Sequence, residues 1–158
     1  VVGEPSGWDA VTLGYKGSFL MIHNSGGSGE VFKTTASRTY NGGPVSGLMG
    51  SYHLATSLGY KNVVAGDMGG TSFDIGLVVD ASVRNYEFRP IIDRWMVGIT
   101  MLQTLSIGAG GGSIAWIDHN LGGQLNVGPR SAGSDPGPAC YDQGGTEPTV
   151  TDADVVLG

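Results

Sequence analysis

One stretch constrains this chain more than any other: "NVVAGDMGGTSFDIGLVV", Asn62 to Val79. Two apolar runs of strand length enclose a short segment with Gly66, Asp67, Gly69, Gly70, Thr71, Ser72 and Asp74. Apolar runs of this length bounded by glycine read as strands. The pattern is strand–turn–strand, with both runs expected to be buried. The Walker phosphate loop needs a lysine and an entry into a helix, and the dinucleotide fingerprint also opens a helix. Neither description fits.

Two accounts of the loop stay open on the residues alone. Glycine supplies tight turns, and Asp is common at turn positions, so a plain glycine hairpin explains the composition. Alternatively, glycines let backbone N–H groups approach an anion closely, with the Thr71 and Ser72 hydroxyls adding donors. Asp67 repels a bare phosphate, so this reading needs a divalent cation between them. Mg²⁺ commonly takes one or two carboxylates plus phosphate oxygens. Asp74 then holds a water, braces the loop or acts as a base.

A second glycine cluster, "SIGAGGGSIAWID", places Gly110, Gly111 and Gly112 between apolar runs. Its backbone either packs on a nucleotide or forms a bend. Asp118 either stands near the metal or caps the turn "DHNLGG". Glycine reaches 29 of 158 residues, far above its usual share of about 7%, while the 40% apolar fraction is that of a folded domain. A net charge of −6 disfavours nonspecific nucleic-acid and anionic-membrane partners. The apolar stretches fall short of the roughly 20 residues of a membrane helix. Cys140 is the single cysteine, which suits a cytoplasmic protein.

Along the chain, "WDAVTLGY" and "GSFLMIHN" read as strands. "NGGPVSGLMGSYHLATSLGY" shifts to helical spacing, with Pro44 in the first turn and Gly59 as the stop. Its expected apolar face is Val45, Leu48, Met49, Tyr52, Leu54, Ala55 and Leu58. "TVTDADVVLG" opens a further helix. His23, His53 and His119 lack metal-ligand spacing. Cys140 has no identifiable base beside it in sequence. Arg89, Asp93, Arg94 and Trp95 form a polar–aromatic patch that an interface or a core ion pair explains as well as catalysis does.

Four strings in series, "GDMGGTSFDIGLV", "SIGAGGGSIAWID", "LNVGPRSAGSDPGPACY" and "GGTEPTVTDADVVLG", resemble the hydantoinase A / 5-oxoprolinase / acetone carboxylase β-subunit family. The resemblance implies an α/β (α+β) fold: a ribonuclease-H-like, actin-like ATPase second-domain core, with a mixed sheet, flanking helices and long glycine-rich loops. By it, Asp67 faces Mg²⁺, and Gly66, Gly69, Gly70, Thr71 and Ser72 hold ATP phosphates. Gly110, Gly111 and Gly112 line the nucleotide, Asp118 stands on the metal side, and Asp67 and Asp74 carry the chemistry.

The family's first phosphate loop and adenosine motif have no counterpart within residues 1–158. The expectation is therefore part of a longer cytoplasmic subunit. Gln103 replaces an Asp expected in the hydantoinase-like branch, and "YEFRPIIDRWMVGITM" is more aromatic than that branch. Both favour a ketone carboxylase. The implied chemistry is ATP-dependent phosphorylation of a carbonyl or enolate oxygen, with bicarbonate as co-substrate and no biotin. The implied partners are a hydantoinase B-like α subunit and a small subunit, with a further metal such as Mn or Zn on a partner. ATP-dependent hydrolysis of a cyclic amide, a sugar-kinase-like phosphotransferase and a non-catalytic module are the competing readings.

Overall fold

A computed structural model describes residues 14–87 and 89–158. The predicted strand "WDAVTLGY" falls almost wholly outside them. The chain divides into two compact units, Val1–Ala65 with Gly76–Thr104, and Gly66–Ile75 with Leu105–Gly158. Among the described residues, no helix is long and apolar enough to cross a membrane.

In the first unit, β1 (Leu20–Ile22) pairs antiparallel with β2 (Ser28–Glu30). Two 3-10 turns follow, at Val31–Lys33 and Ala36–Thr39. Helix α1 (Gly42–Ser57) occupies the predicted helical stretch. Gly59 adopts the left-handed φ of +82° that glycine tolerates at a helix stop. Val45 and Leu48 of α1 pack with Val78 and Leu102 into a buried cluster, edged by Met49, Tyr52, Val63, Ala65 and Val83. Burying a side chain of that size stabilises by about 1.5–3 kcal/mol. Two members of the expected face, Leu54 and Leu58, are exposed instead. The buried stripe is narrower because, among the described residues, nothing covers Leu54 and Leu58 on that side.

Asn24, 1% exposed, ties this unit together through its polar groups. Its side chain donates to the Ser37 carbonyl at 2.9 Å and accepts the Asn41 N–H at 2.8 Å. Its backbone N–H donates to Arg38 at 2.7 Å, and its carbonyl accepts from Leu102 at 2.8 Å. Buried polar groups are costly unless paired, and here each bond fixes a different segment. The start of α1 is set by Asn24, since the Asn41 side chain makes no cap bond to the helix.

The loop of interest is carried by β3 (Val63–Met68) and β4 (Phe73–Val79). β3, β4 and β5 (Ser82–Val83) lie in that order in one sheet, and β8 (Thr104–Ile107) also pairs with β4. The strand–turn–strand expectation holds. The expectation that both runs are buried does not: β3 leaves Val64 72% exposed and Met68 half exposed. Alternation sends successive side chains to opposite faces.

Hairpin β6 (Ile91–Ile92) and β7 (Trp95–Met96) turns at Asp93–Arg94, both at positive φ. This is the φ pattern of a type I′ turn. Trp95 is 75% exposed, and among the described residues neither Arg89, Asp93 nor Arg94 is in an ion pair. The core-ion-pair account of this patch is thereby overturned.

In the second unit, β9 (Ser113–Asp118) pairs antiparallel with β10 (Gln124–Ser131), with a register shift between Val127 and Ser131. The Trp116 indole N–H donates to the Gly128 carbonyl beside that irregularity, at 2.7 Å. Helix α2 (Val150–Leu157) begins with a capping box between Thr149 and Asp152. The helical start expected at "TVTDAD" is present, because the Thr hydroxyl and the carboxylate three residues on satisfy each other's backbone N–H groups.

Candidate functional site

Gly66 and Asp67 belong to β3 itself, so the loop proper is Gly69 to Ser72. Gly69 N–H donates to the Ser72 carbonyl at 2.9 Å, closing the turn. The second glycine cluster lies directly behind it. Gly111 N–H donates to the Gly69 carbonyl at 2.9 Å, and Gly112 N–H to the Gly70 carbonyl at 2.6 Å. The Ser113 hydroxyl reaches the Thr71 carbonyl at 3.5 Å and accepts the Gly110 N–H at 3.0 Å. Thus two segments some forty residues apart form one backbone clamp.

Glycine is required by that closeness. A Cβ on Gly110 would lie 2.6 Å from the Gly69 carbonyl oxygen and from the amide nitrogens of Thr71 and Ser72. A Cβ on Gly112 would lie 2.9 Å from the Gly70 oxygen and 3.0 Å from Ser131 Oγ. Helix α2 completes the backing. Thr151 donates to the Gly111 carbonyl from both its N–H and its hydroxyl, each at 2.9 Å.

The clamp leaves an asymmetry. The loop's carbonyls at 69, 70, 71 and 72 all accept hydrogen bonds. Among the described residues, the amides of Gly70, Thr71 and Ser72 find no acceptor. Such donors suit anionic oxygens. Asp67 is exposed one residue before the end of β3, and its carboxylate has no hydrogen-bond partner among the described residues. Asp74 is half-buried and accepts from the Ser106 hydroxyl, with Ser72 Oγ at 3.5 Å. Its contacts tie the loop to β8.

Asp118 is not brought to this place. It ends β9, and its carboxylate accepts the Asn120 N–H at 2.9 Å, capping the turn His119–Leu121. Five strand steps separate it from Ser113, roughly 16 Å of backbone. Among the described residues no three His, Cys, Asp or Glu groups are placed to share a metal. A cation beside Asp67 would therefore take most of its ligands from phosphate and water, as Mg²⁺ commonly does. The loop's free donors and its carboxylate fit a metal-bound phosphate.

Sequence reasoning passed over Ser106, Ser113, Thr151 and Asp152. The Asp152 carboxylate gathers N–H donors from Thr149 and Cys140 at 2.7 Å each, the Thr149 hydroxyl at 2.7 Å and the Ala139 N–H at 3.3 Å. The Thr149 hydroxyl and then the Cys140 N–H hold its ionised form well below the usual carboxylate range. Hydrogen bonding to that same carboxylate pushes the exposed Cys140 thiol up. The capping-box spacing was the available signal for Asp152; the contact with 139–140 had none.

A strand–loop–strand Asp-Met-Gly-Gly-Thr element clamped by a second glycine loop defines the class, and the chain belongs to the hydantoinase/oxoprolinase family, whose model matches residues 9–158. Within it, the chain is 72% identical over 152 residues to the acetophenone carboxylase gamma subunit of Aromatoleum aromaticum, covering 96% of this chain and 21% of that one. It is 46% identical over 130 residues to the caprolactamase subunit alpha of Pseudomonas jessenii, covering 82% and 18%. Its fold matches the nucleotide-free structure of an ATP-dependent acetone carboxylase with a TM-score of 0.79 at 30% identity, covering 96% of this chain and 21% of that one. The chain thus spans about a fifth of the length of these relatives. The mixed α/β architecture is that of these enzymes.

Proposed function

We propose that the protein acts within an ATP-dependent ketone carboxylase subunit, phosphorylating a carbonyl or enolate oxygen. The observation that carries this is the clamped loop, whose carbonyls are all held from behind while its amides at 70, 71 and 72 stay free. Mg²⁺–ATP would supply the phosphoryl group. Gly70, Thr71 and Ser72 would hold phosphate oxygens, and Asp67 would hold the cation. The Gly110–Gly112 segment has its own amides hydrogen-bonded within the chain, so it fixes the loop's shape. Preorganised donors that need no rearrangement are how such sites stabilise transferring phosphoryl groups. Asp74, held by hydroxyls, braces the loop.

A ketone is favoured over a cyclic amide by 72% identity to a carboxylase subunit against 46% to a lactamase subunit. An aryl ketone, acetophenone, is the substrate to try first, with bicarbonate as co-substrate. The relatives are named as subunits, which supports a hetero-oligomer with a hydantoinase B-like subunit and a small subunit. A cytoplasmic location fits the single cysteine. Cyclic-amide hydrolysis is the second reading, carried by the caprolactamase similarity.

The test is Asp67→Ala in the full-length subunit assembled with its partners. Ketone-dependent ATP hydrolysis should fall by about a hundredfold or more, the scale for losing a transition-state electrostatic group. Near-normal turnover overturns the assignment.

A further inference from the structure

The two strands of hairpin β6–β7 form a sheet of their own, joined to no other strand among the described residues. A lone two-stranded hairpin is marginally stable in water. The register sets Ile91 opposite Met96 and Ile92 opposite Trp95. Directly opposed residues share a face, and successive residues alternate between faces. One face therefore carries exposed Ile91 and Met96, and the other carries half-buried Ile92 beside exposed Trp95. A ribbon with apolar pairs on both faces buries them by entering a groove, whereas lying flat on a surface covers only one.

The tip adds a second observation. Asp93 and Arg94 hold φ of +46° and +71°, and Arg94 occupies the turn position that glycine favours. The sequence thus gives up backbone ease to place a guanidinium at the tip. Composition then picks out the occupant. Trp, Met and Arg are enriched at the centre of protein–protein interfaces, whereas a domain core rarely takes arginine. Arg89 and Arg94 outnumber Asp93 here, on a chain of net charge −6. A rim of acidic groups on the partner complements that local excess of positive charge.

We propose that β6–β7 is a docking element that inserts into an apolar, acid-rimmed groove on a different subunit of the complex. The proposal rests on the multi-subunit part of the functional reading above and names the element that makes the contact. Trp95 is its central anchor, and Arg94 meets the rim.

The experiment uses the full-length subunit, alone and mixed with its partner subunits. Trp95→Asp should weaken binding of the partner by about thirtyfold or more, the scale of a central interface residue. Trp95→Phe should recover part of that loss. Alone, the Trp95→Asp subunit should melt with wild type and bind Mg²⁺–ATP within about twofold of it. Arg94→Glu should slow association at low salt and much less at high salt. Unchanged partner affinity in Trp95→Asp, beside a wild-type complex, overturns the docking role alone. A lower melting temperature of the isolated variant also overturns it, since the same chain then covers the hairpin. Loss of self-association alone overturns it in favour of a second copy. An Arg94→Glu effect of equal size at both salts overturns the acidic rim. If the wild-type subunit binds no other subunit, the multi-subunit reading falls and the docking with it.

Discussion

Gly110 lies so close to Thr71 that a Cβ on it would stand 2.6 Å from the Thr71 amide nitrogen. Real Cβ atoms do not approach backbone so closely, so any side chain at 110 displaces the loop. Gly110→Ala should therefore lower nucleotide-dependent turnover by up to about a hundredfold, the loss that a misplacement of about 1 Å can cause. Gly108 has open space around its missing Cβ, and Gly108→Ala should keep near-normal turnover. Steady-state ATP hydrolysis of the two variants, with circular dichroism to verify folding, makes the comparison. Equal activities would show that the loop does not depend on its backing.

Asp152 predicts an acid-side signature. Its carboxyl is depressed in the folded state, against roughly 3.9 for an unperturbed Asp. The unfolded state thus binds the proton more readily, and stability rises with pH across the interval between the two values. The contribution is complete above about pH 4 and is lost as the pH falls through the folded value. Thermal melts of wild type and Asp152→Asn should differ most at neutral pH and converge below about pH 4. The same variant should speed iodoacetamide labelling of Cys140 at pH 8, because the carboxylate that raises the thiol is gone. A gap that is flat from pH 7 to 3, or unchanged labelling, counts against the Asp152 contacts.

Leu48 and Leu54 occupy one helix in different surroundings, 2% and 59% exposed. Leu48→Ala should cost about 2–5 kcal/mol, whereas Leu54→Ala should stay within about 0.5 kcal/mol. Urea titration of the full-length protein, following the transition that reports this unit, checks both. Similar losses at the two positions would mean that Leu54 is covered by something in the longer protein.

These contrasts show what the sequence displays and what it hides. Pro44, the apolar spacing and Gly59 announce α1, because propensity and capping are local. The two apolar runs announce β3 and β4, and Thr149 with Asp152 announces α2. The exposure of Val64 and Leu54 was hidden, since periodicity gives a face but not its partner. The clamp was hidden for the same reason. Both glycine clusters were visible, yet nothing local says that one buttresses the other some forty residues away. Asp118 illustrates the converse error. A carboxylate near a glycine cluster invites a metal role, while its geometry assigns it to the Asn120 turn.

The clamp also sets a timetable. Gly69 to Ser72 leave the ribosome well before Gly110 to Ser113, and earlier still than Thr151. At roughly 5–20 residues per second, the loop waits some seconds for the strand of glycines that gives it shape. A nascent chain therefore carries the Asp-Met-Gly-Gly-Thr segment before it carries the residues that hold that segment's shape.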